Sequence, residues 1–223
     1  MDSQGPARLV VFDFDGTVAD TWRDIATALN QTLADAKLPE ARGPEVRSMI
    51  GDGARKLLER AVPPDCRSEV EVDALYEVFS RHYHRCCLET TELYPGVEAA
   101  LDELSPEGLA ICSNKPGPFL DKIVEGLGLK GRFRVVLGGD ALPGVRKPDR
   151  RVLEHLISRA GFEPDEVWMV GDSGVDVQTG KAVAARTVGC SWGLRGREEL
   201  RAAGPDFLID HPREIVPVVL GRR

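Results

Sequence analysis

The sequence predicts an α/β fold: a doubly wound, mainly parallel, Rossmann-like sheet with a helical cap domain inserted after the first strand. Three observations predict it. Short apolar runs alternate with helical patterns along most of the chain, as they do in chains of βα units. Those runs are nearly continuous in hydrophobicity, which suits strands covered on both faces. One long stretch, from about Val18 to Glu92, breaks the alternation with helices and no convincing strand.

The expected strands, in order, are Leu9–Phe12, Leu109–Cys112, Val135–Leu137, Val167–Val170, Thr187–Cys190 and Phe207–Ile209. Asp149–Ala160 is the clearest core helix. Its apolar repeat is Val152, Leu153, Leu156 and Ile157, Pro148 precedes it, and Gly161 stops it. Within the interruption, Trp22, Ile25, Ala26, Leu29 and Leu33 mark one helix face, with Thr21-x-x-Asp24 as its capping box. Further helices are expected over Gly53–Ala61 and Arg67–Leu88, and the turn-prone Tyr94-Pro95-Gly96 marks the return to βα units. The expected division is a core of residues 1–17 and 93–223 and a cap of residues 18–92.

Bulk properties narrow the function. The 223 residues suffice for one large domain or a core with a smaller companion. A formal charge of −7 argues against nonspecific binding to nucleic acid or an anionic membrane. No apolar run approaches the roughly 18 residues of a membrane span, and the N-terminal MDSQGPAR lacks a signal peptide's apolar core. Five cysteines without framework spacing suggest reduced thiols in a cytoplasm.

The strand ends carry the chemistry. The first ends in Asp13 and Asp15, the second in Ser113, and the fourth in Gly171-Asp172-Ser173, with Asp176 one helical turn on. Ligands of doubly wound sheets bind in the crevice beyond these carboxyl ends. Arg146-Lys147-Pro148 adds cations in a loop just before the fourth strand. Asp and Ser are also common turn formers, so each alone says little. Acids concentrated on two strand ends beside a Lys-Pro loop say more.

Asp13-Phe14-Asp15-Gly16-Thr17, Ser113-Asn114, Lys147-Pro148 and Gly171-Asp172-Ser173-x-x-Asp176 resemble, in order, the four motifs of the haloacid dehalogenase superfamily. The resemblance covers nearly the whole chain, and the helical interruption lies where that family carries its cap. It implies an aspartyl-phosphate mechanism on a small phosphorylated metabolite, in a monomer or homodimer. Asp13 is the implied nucleophile, Asp15 the acid and base, and Lys147 the neutralising cation. Ser113, Asn114, Gly16 and Thr17 are the implied phosphate-binding residues. The implied metal is Mg²⁺, held by Asp13, the backbone carbonyl of Asp15, and Asp172, with Asp176 helping directly or through water.

The chemistry accounts for these residue types independently. A carboxylate needs no base to become a nucleophile, because its ordinary pKa lies well below neutrality. Attack on an anionic phosphoryl group needs a hard cation that takes oxygen ligands, which Mg²⁺ is. An alkoxide leaves poorly without a proton donor, and Asp15 can be that donor. In the family an acid at this position points to phosphate esters rather than carbon–halogen or carbon–phosphorus bonds.

The stretches Asp24–Asn30 and Ile50–Ala61, Tyr94-Pro95-Gly96-Val97 and Gly138-Gly139-Asp140 resemble phosphoglycolate phosphatases within the family. Gly51-Asp52-Gly53 makes a flexible turn into a helix whose N–H groups favour an anion. Gly53, Arg55 and Lys56 are the expected substrate-reading residues, Arg55 being able to pair bidentately with a carboxylate; a solvated helix face is the plainer reading of Arg55. A sugar phosphomutase, a phosphatase for another small metabolite or nucleotide, and a silent binding protein remain as alternatives. Ala185-Arg186 departs from the family's small residue and glycine before the fifth strand, and Val18-Ala19-Asp20 and Arg23 differ modestly. His82, His84, Cys86 and Cys87 invite a zinc reading, but too few of them share a helix face.

Overall fold

The computed structural model describes residues 8–67, 70–161 and 166–221. Strand β1 (Arg8–Phe12) leads into a two-residue strand, β2 (Ala19–Asp20), and then into α1 (Trp22–Asp35), α2 (Gly43–Met49), α3 (Ala54–Ala61) and α4 (Val72–Cys86). The short β3 (Glu92–Leu93) brings the chain back to α5 (Val97–Glu103), β4 (Gly108–Cys112), α6 (Gly117–Gly126), β5 (Val135–Leu137) and α7 (Arg150–Arg159). The remainder is β6 (Glu166–Gly171), α8 (Gly174–Ala182), β7 (Arg186–Cys190), α9 (Arg197–Ala203), β8 (Phe207–Ile209) and α10 (Ile215–Leu220).

Six strands form one parallel sheet in the order β5-β4-β1-β6-β7-β8. All six lie within one residue of the expected runs. Both faces are covered, and for that reason the runs are continuous. In β1, Val10 and Phe12 join one apolar cluster while Leu9 and Val11 join the other, with the helix α7 residues Val152, Leu153 and Leu156. In β4, Leu109 and Ile111 divide from Ala110 and Cys112 in the same way. The chain leaves β1 toward β4 on one side and returns to β6 on the other. The strand order therefore reverses beside β1, where a crevice opens beyond the carboxyl ends.

The helical stretch packs mainly through α1 against α4, burying Ile25, Ala28, Leu29 and Leu33 against Leu75, Phe79 and Tyr83. The structure differs from the sequence reading at its base. Strands β2 and β3 pair antiparallel, Ala19 opposite Leu93 and Asp20 opposite Glu92, although the sequence suggested no strand there; two-residue strands have no period to read. The capping box of Thr21 and Asp24 does not form. Thr21 makes no side-chain cap, and buried Asp24 instead accepts the N–H and hydroxyl of Thr90 and of Thr91, at 2.6–3.1 Å. The entrance and exit of the stretch are clasped together by this carboxylate. Helix α2 is an addition, and α4 is shorter than the expected Arg67–Leu88, part of which (68–69) lies outside the described residues.

Helix α8 closes with the Ala185 N–H on the Gly180 carbonyl and the Ala184 N–H on Lys181, the paired bonds of a Schellman motif. The left-handed position is Ala184, at φ 57°, two residues before Arg186, where the sequence comparison sets the family's glycine. A side chain there costs about 1–2 kcal/mol, part of which glycine's greater unfolded-state freedom offsets. Ala184 is exposed, so losing its methyl forfeits little packing. Ala184→Gly is predicted to raise stability by about 0.5–1 kcal/mol, seen as a higher urea midpoint. An unchanged or lower midpoint would show that the left-handed turn carries no strain.

Candidate active site

The first loop is built on one carbonyl. After β1 the Asp13 N–H extends the ladder to Val170 O at 2.9 Å, and Phe14 O accepts the N–H groups of Thr17, Val18 and Ala19 at 3.0–3.3 Å. Gly16 sits at φ 89°, and a Cβ on it would lie 2.8 Å from Asp172 Cγ. Glycine is needed for both reasons. This turn places Asp13 and Asp15 side by side but points them at different partners.

Asp13 belongs to a three-acid group with Asp172 and Asp176, whose ligand atoms all lie within 4.8 Å of one another and are buried. Lys147 is set between them, its Nζ 2.8 Å from Asp13 Oδ1 and 2.6 Å from Asp176 Oδ1. Ser173 caps α8 and donates its N–H and hydroxyl to Asp176 Oδ2 at 3.1 and 2.6 Å. The Leu194 N–H donates to Asp172 Oδ2 at 2.5 Å. Two of the three carboxylates thus share one ammonium, and the third, Asp172, is held by a backbone N–H.

Burial pushes the Asp13 carboxyl up to about 7, Lys147 pulling it back and Asp176 adding to the rise. Burial and then repulsion from Asp13 and Asp176 hold Asp172 well above the usual range. For Lys147, burial alone would lower the pKa, but Asp13 and Asp176 outweigh it and the net direction is upward. The ordinary low carboxylate pKa expected for the nucleophile therefore does not hold for this environment by itself. A divalent cation among the acids reverses that balance, because it favours each ionised form. A buried, oxygen-only donor set also suits a hard ion such as Mg²⁺. The residues present fit the group.

The carboxylate of Asp15 lies outside this cluster. Its Oδ1 accepts the Thr21 hydroxyl at 2.5 Å and pairs with Lys115 Nζ at 3.1 Å. Lys115 Nζ also donates to Tyr83 Oη at 2.8 Å. None of Thr21, Tyr83 and Lys115 was singled out from sequence as a site residue. The sequence places Thr21 at a helix start, where a cap is the plain reading, and Tyr83 between two histidines, where the local pattern points only to zinc. Lys115 had one usable signal, its place directly after Ser113-Asn114.

Ser113 stands at the end of β4, its N–H on Leu137 O at 2.9 Å. Its oxygen accepts the Lys115 N–H at 3.2 Å, which uses a lone pair and leaves the hydroxyl proton to donate. The Asn114 side chain is engaged by backbone: Nδ2 donates to Gly51 O and Lys147 O, and Oδ1 accepts the Lys147 N–H at 3.0 Å. It positions the lysine loop under the helical stretch instead of presenting an amide to a ligand. The Thr17 hydroxyl is buried without a partner, while Thr17 O accepts Trp192 Nε1 at 3.2 Å, so Trp192 braces the acidic loop.

A partly open cavity of about 40 Å³ lies against Asp13, Asp15 and Ser113. Its floor is Asp13, Asp15, Ser113, Asn114 and Lys115; its roof is Ile25, Ile50, Gly51, Gly53, Ala54, Leu57, Phe79 and Tyr83. Of the three expected substrate-reading residues, only Gly53 lines it. Arg55 pairs with Asp73 and lies over the Tyr76 ring at 4.4 Å, beside an adjoining hollow that shares Gly53, Ala54, Asn114 and Pro116 with the cavity. Lys56 pairs with Glu59 at 2.5 Å. The direction of Arg55 is set by Asp73 and Tyr76 of α4, which the local sequence does not show, while Lys56 is held by a neighbour on α3 itself. His82 pairs with Asp35 at 2.8 Å and Cys86 Sγ meets Asp24 O at 3.5 Å; neither belongs to a metal-holding group among the described residues.

Lys147→Met strands Asp13 and Asp176 without their shared counter-charge. Breaking a buried ion pair from one side costs about 3–5 kcal/mol, and a loss of that size is predicted in urea unfolding at neutral pH without added metal. A loss below about 1 kcal/mol would show that the ammonium is not what offsets the burial of the acids.

Comparison with known proteins agrees with this geometry. The family model for haloacid dehalogenase-like hydrolases matches residues 10–190. A protein of Pseudomonas aeruginosa named phosphoglycolate phosphatase 1 is 35% identical over 216 residues, covering 94% of this chain and 79% of that protein. The phosphoglycolate phosphatase of Aquifex aeolicus is 34% identical over 214 residues, covering 95% and 96%. Among solved structures, a predicted phosphoglycolate phosphatase from Haemophilus somnus superposes with a TM-score of 0.88 at 28% identity, covering 97% of this chain and 100% of that one. No helix among the described residues is long and apolar enough to cross a membrane. The chain belongs to the haloacid dehalogenase-like hydrolase family, as a phosphoric monoester hydrolase.

Proposed function

We propose that this protein is a Mg²⁺-dependent phosphatase that hydrolyses 2-phosphoglycolate to glycolate and phosphate through an aspartyl-phosphate on Asp13. One observation carries the reading: Asp13, which belongs to the three-acid group, and a separately held Asp15 line one small cavity. The relatives named phosphoglycolate phosphatase support the substrate.

Asp13 Oδ attacks phosphorus while the ester P–O bond breaks. Asp15 gives its proton to the departing glycolate oxygen. It then takes a proton from water as the water oxygen attacks phosphorus, and the bond to Asp13 breaks to release phosphate. Lys147 holds Asp13 in place and offsets charge on the phosphoryl group; Ser113 donates its hydroxyl to a phosphoryl oxygen. Asp13, Asp172 and Asp176 would hold Mg²⁺, which would supply charge neutralisation for attack by a carboxylate on a phosphate. The helical stretch acts as a cap domain, its Gly51–Ala54 segment excluding water from the cavity.

A sugar phosphomutase uses the same intermediate, but its substrate needs partners for several hydroxyls. The apolar side chains of the lining, Ile25, Ile50, Leu57, Phe79 and Phe119, offer them none.

Asp13→Asn is predicted to lower kcat/KM by on the order of 10⁴-fold or more with an unchanged circular dichroism spectrum. Substantial activity in the folded variant removes Asp13 from the nucleophile's role. Chelation should abolish turnover of the wild type and added Mg²⁺ restore it; full activity after exhaustive chelation would overturn the metal assignment. Across a panel of phosphate esters, 2-phosphoglycolate should give the highest kcat/KM.

A further inference from the structure

A substrate with a second anion needs a cation at its far end, and the two expected from sequence, Arg55 and Lys56, are committed outside the cavity. Among the residues lining the cavity, Lys115 is the only cation. It is deeply buried, with 6% of its surface exposed, although lysine is seldom buried so far without a reason in its partners. Its ammonium has three donors; Asp15 Oδ1 at 3.1 Å and Tyr83 Oη at 2.8 Å take two. The Tyr83 ring also lies 4.6 Å from Nζ, and Tyr83 itself packs on Phe79 and Phe119. The head group is thus held in one place, with a donor to spare.

We propose that Lys115, oriented by Tyr83, is the specificity residue that binds a substrate carboxylate two carbons from the ester oxygen. The proposal rests on the phosphoglycolate reading and names the residue that enforces it. If Asp15 protonates the leaving oxygen, that oxygen lies within hydrogen-bond reach of Asp15. Lys115 Nζ lies within the same reach of Asp15. A carboxylate attached through one methylene returns its oxygens to the neighbourhood of the ester oxygen, and so to Nζ. A longer leaving group would carry its anion past the ammonium into Ile25, Leu57, Phe79 and Phe119, where a charge has no partner. An uncharged leaving group would leave the ammonium's third donor unanswered. The selection is therefore for a short, anionic end.

The test compares 2-phosphoglycolate with ethyl phosphate, the same two-carbon ester with a methyl in place of the carboxylate. The wild type should prefer 2-phosphoglycolate. Lys115→Met should lower the ratio of kcat/KM for 2-phosphoglycolate to that for ethyl phosphate by about 10- to 100-fold, the worth of one charge-assisted hydrogen bond, on top of any loss the two esters share through Asp15. Lys115→Arg, which keeps the charge, should recover part of the preference. If Lys115→Met does not fold, Lys115→Gln keeps a donor, drops the charge and carries the same comparison. Equal loss on both esters overturns the assignment and makes Lys115 a positioning residue for Asp15. A wild type that treats the two esters alike overturns the phosphoglycolate reading itself, and this inference with it.

Discussion

Three buried carboxylates, two of them paired with one buried ammonium, are the constraint around which the rest of this structure is arranged. Asp13, Asp172 and Asp176 repel one another and each loses hydration, so the fold must supply compensation from every side. Lys147 provides charge, Ser173 and the Leu194 N–H provide hydrogen bonds, and the glycines at 16, 171 and 193 leave room where any Cβ would strike Asp172 or Asp176. The net negative charge that remains is what makes the group fit a divalent cation.

The helical stretch is tied to this centre by few but specific bonds. Arg195 donates to Ser48 O at 2.6 Å, and Asn114 to Gly51 O at 3.0 Å. One peptide unit touches both parts: Gly193 O accepts from Arg47 Nη2 on α2 at 2.8 Å, while the N–H of the same unit, on Leu194, donates to Asp172. Seating the stretch and orienting an acid of the three-acid group are thereby physically linked. At the other end, the Asp24 clasp with Thr90 and Thr91 fixes where the stretch leaves and rejoins the core.

The parts legible in the sequence were those with a period or a fixed chemistry. Six continuous apolar runs became the six strands of the sheet because both faces of the sheet are covered. Asp13, Asp172, Asp176 and Lys147 converge because strand ends on a parallel sheet share one edge. Side-chain direction was not legible. Thr21 stands before a helix, where a hydroxyl commonly caps, yet it reaches back to Asp15. Arg55 occupies a first turn that suggested an anion, yet Asp73 and Tyr76 on α4 draw it away. Lys115 and Tyr83 are far apart in sequence and meet only through packing of α4 over the core. The β2–β3 pair is too short to leave any pattern.

The account stands or falls on Asp13 becoming covalently phosphorylated. The most direct measurement is acid quench of the Mg²⁺-loaded enzyme during turnover of 2-phosphoglycolate, followed by mass mapping of the phosphorylated peptide. The account predicts a phosphoryl group on the peptide that contains Asp13, appearing before free phosphate in the first turnover and absent in Asp13→Asn. A phosphoryl group on a different residue, or phosphate released in a single turnover with none ever found on the protein, would contradict it.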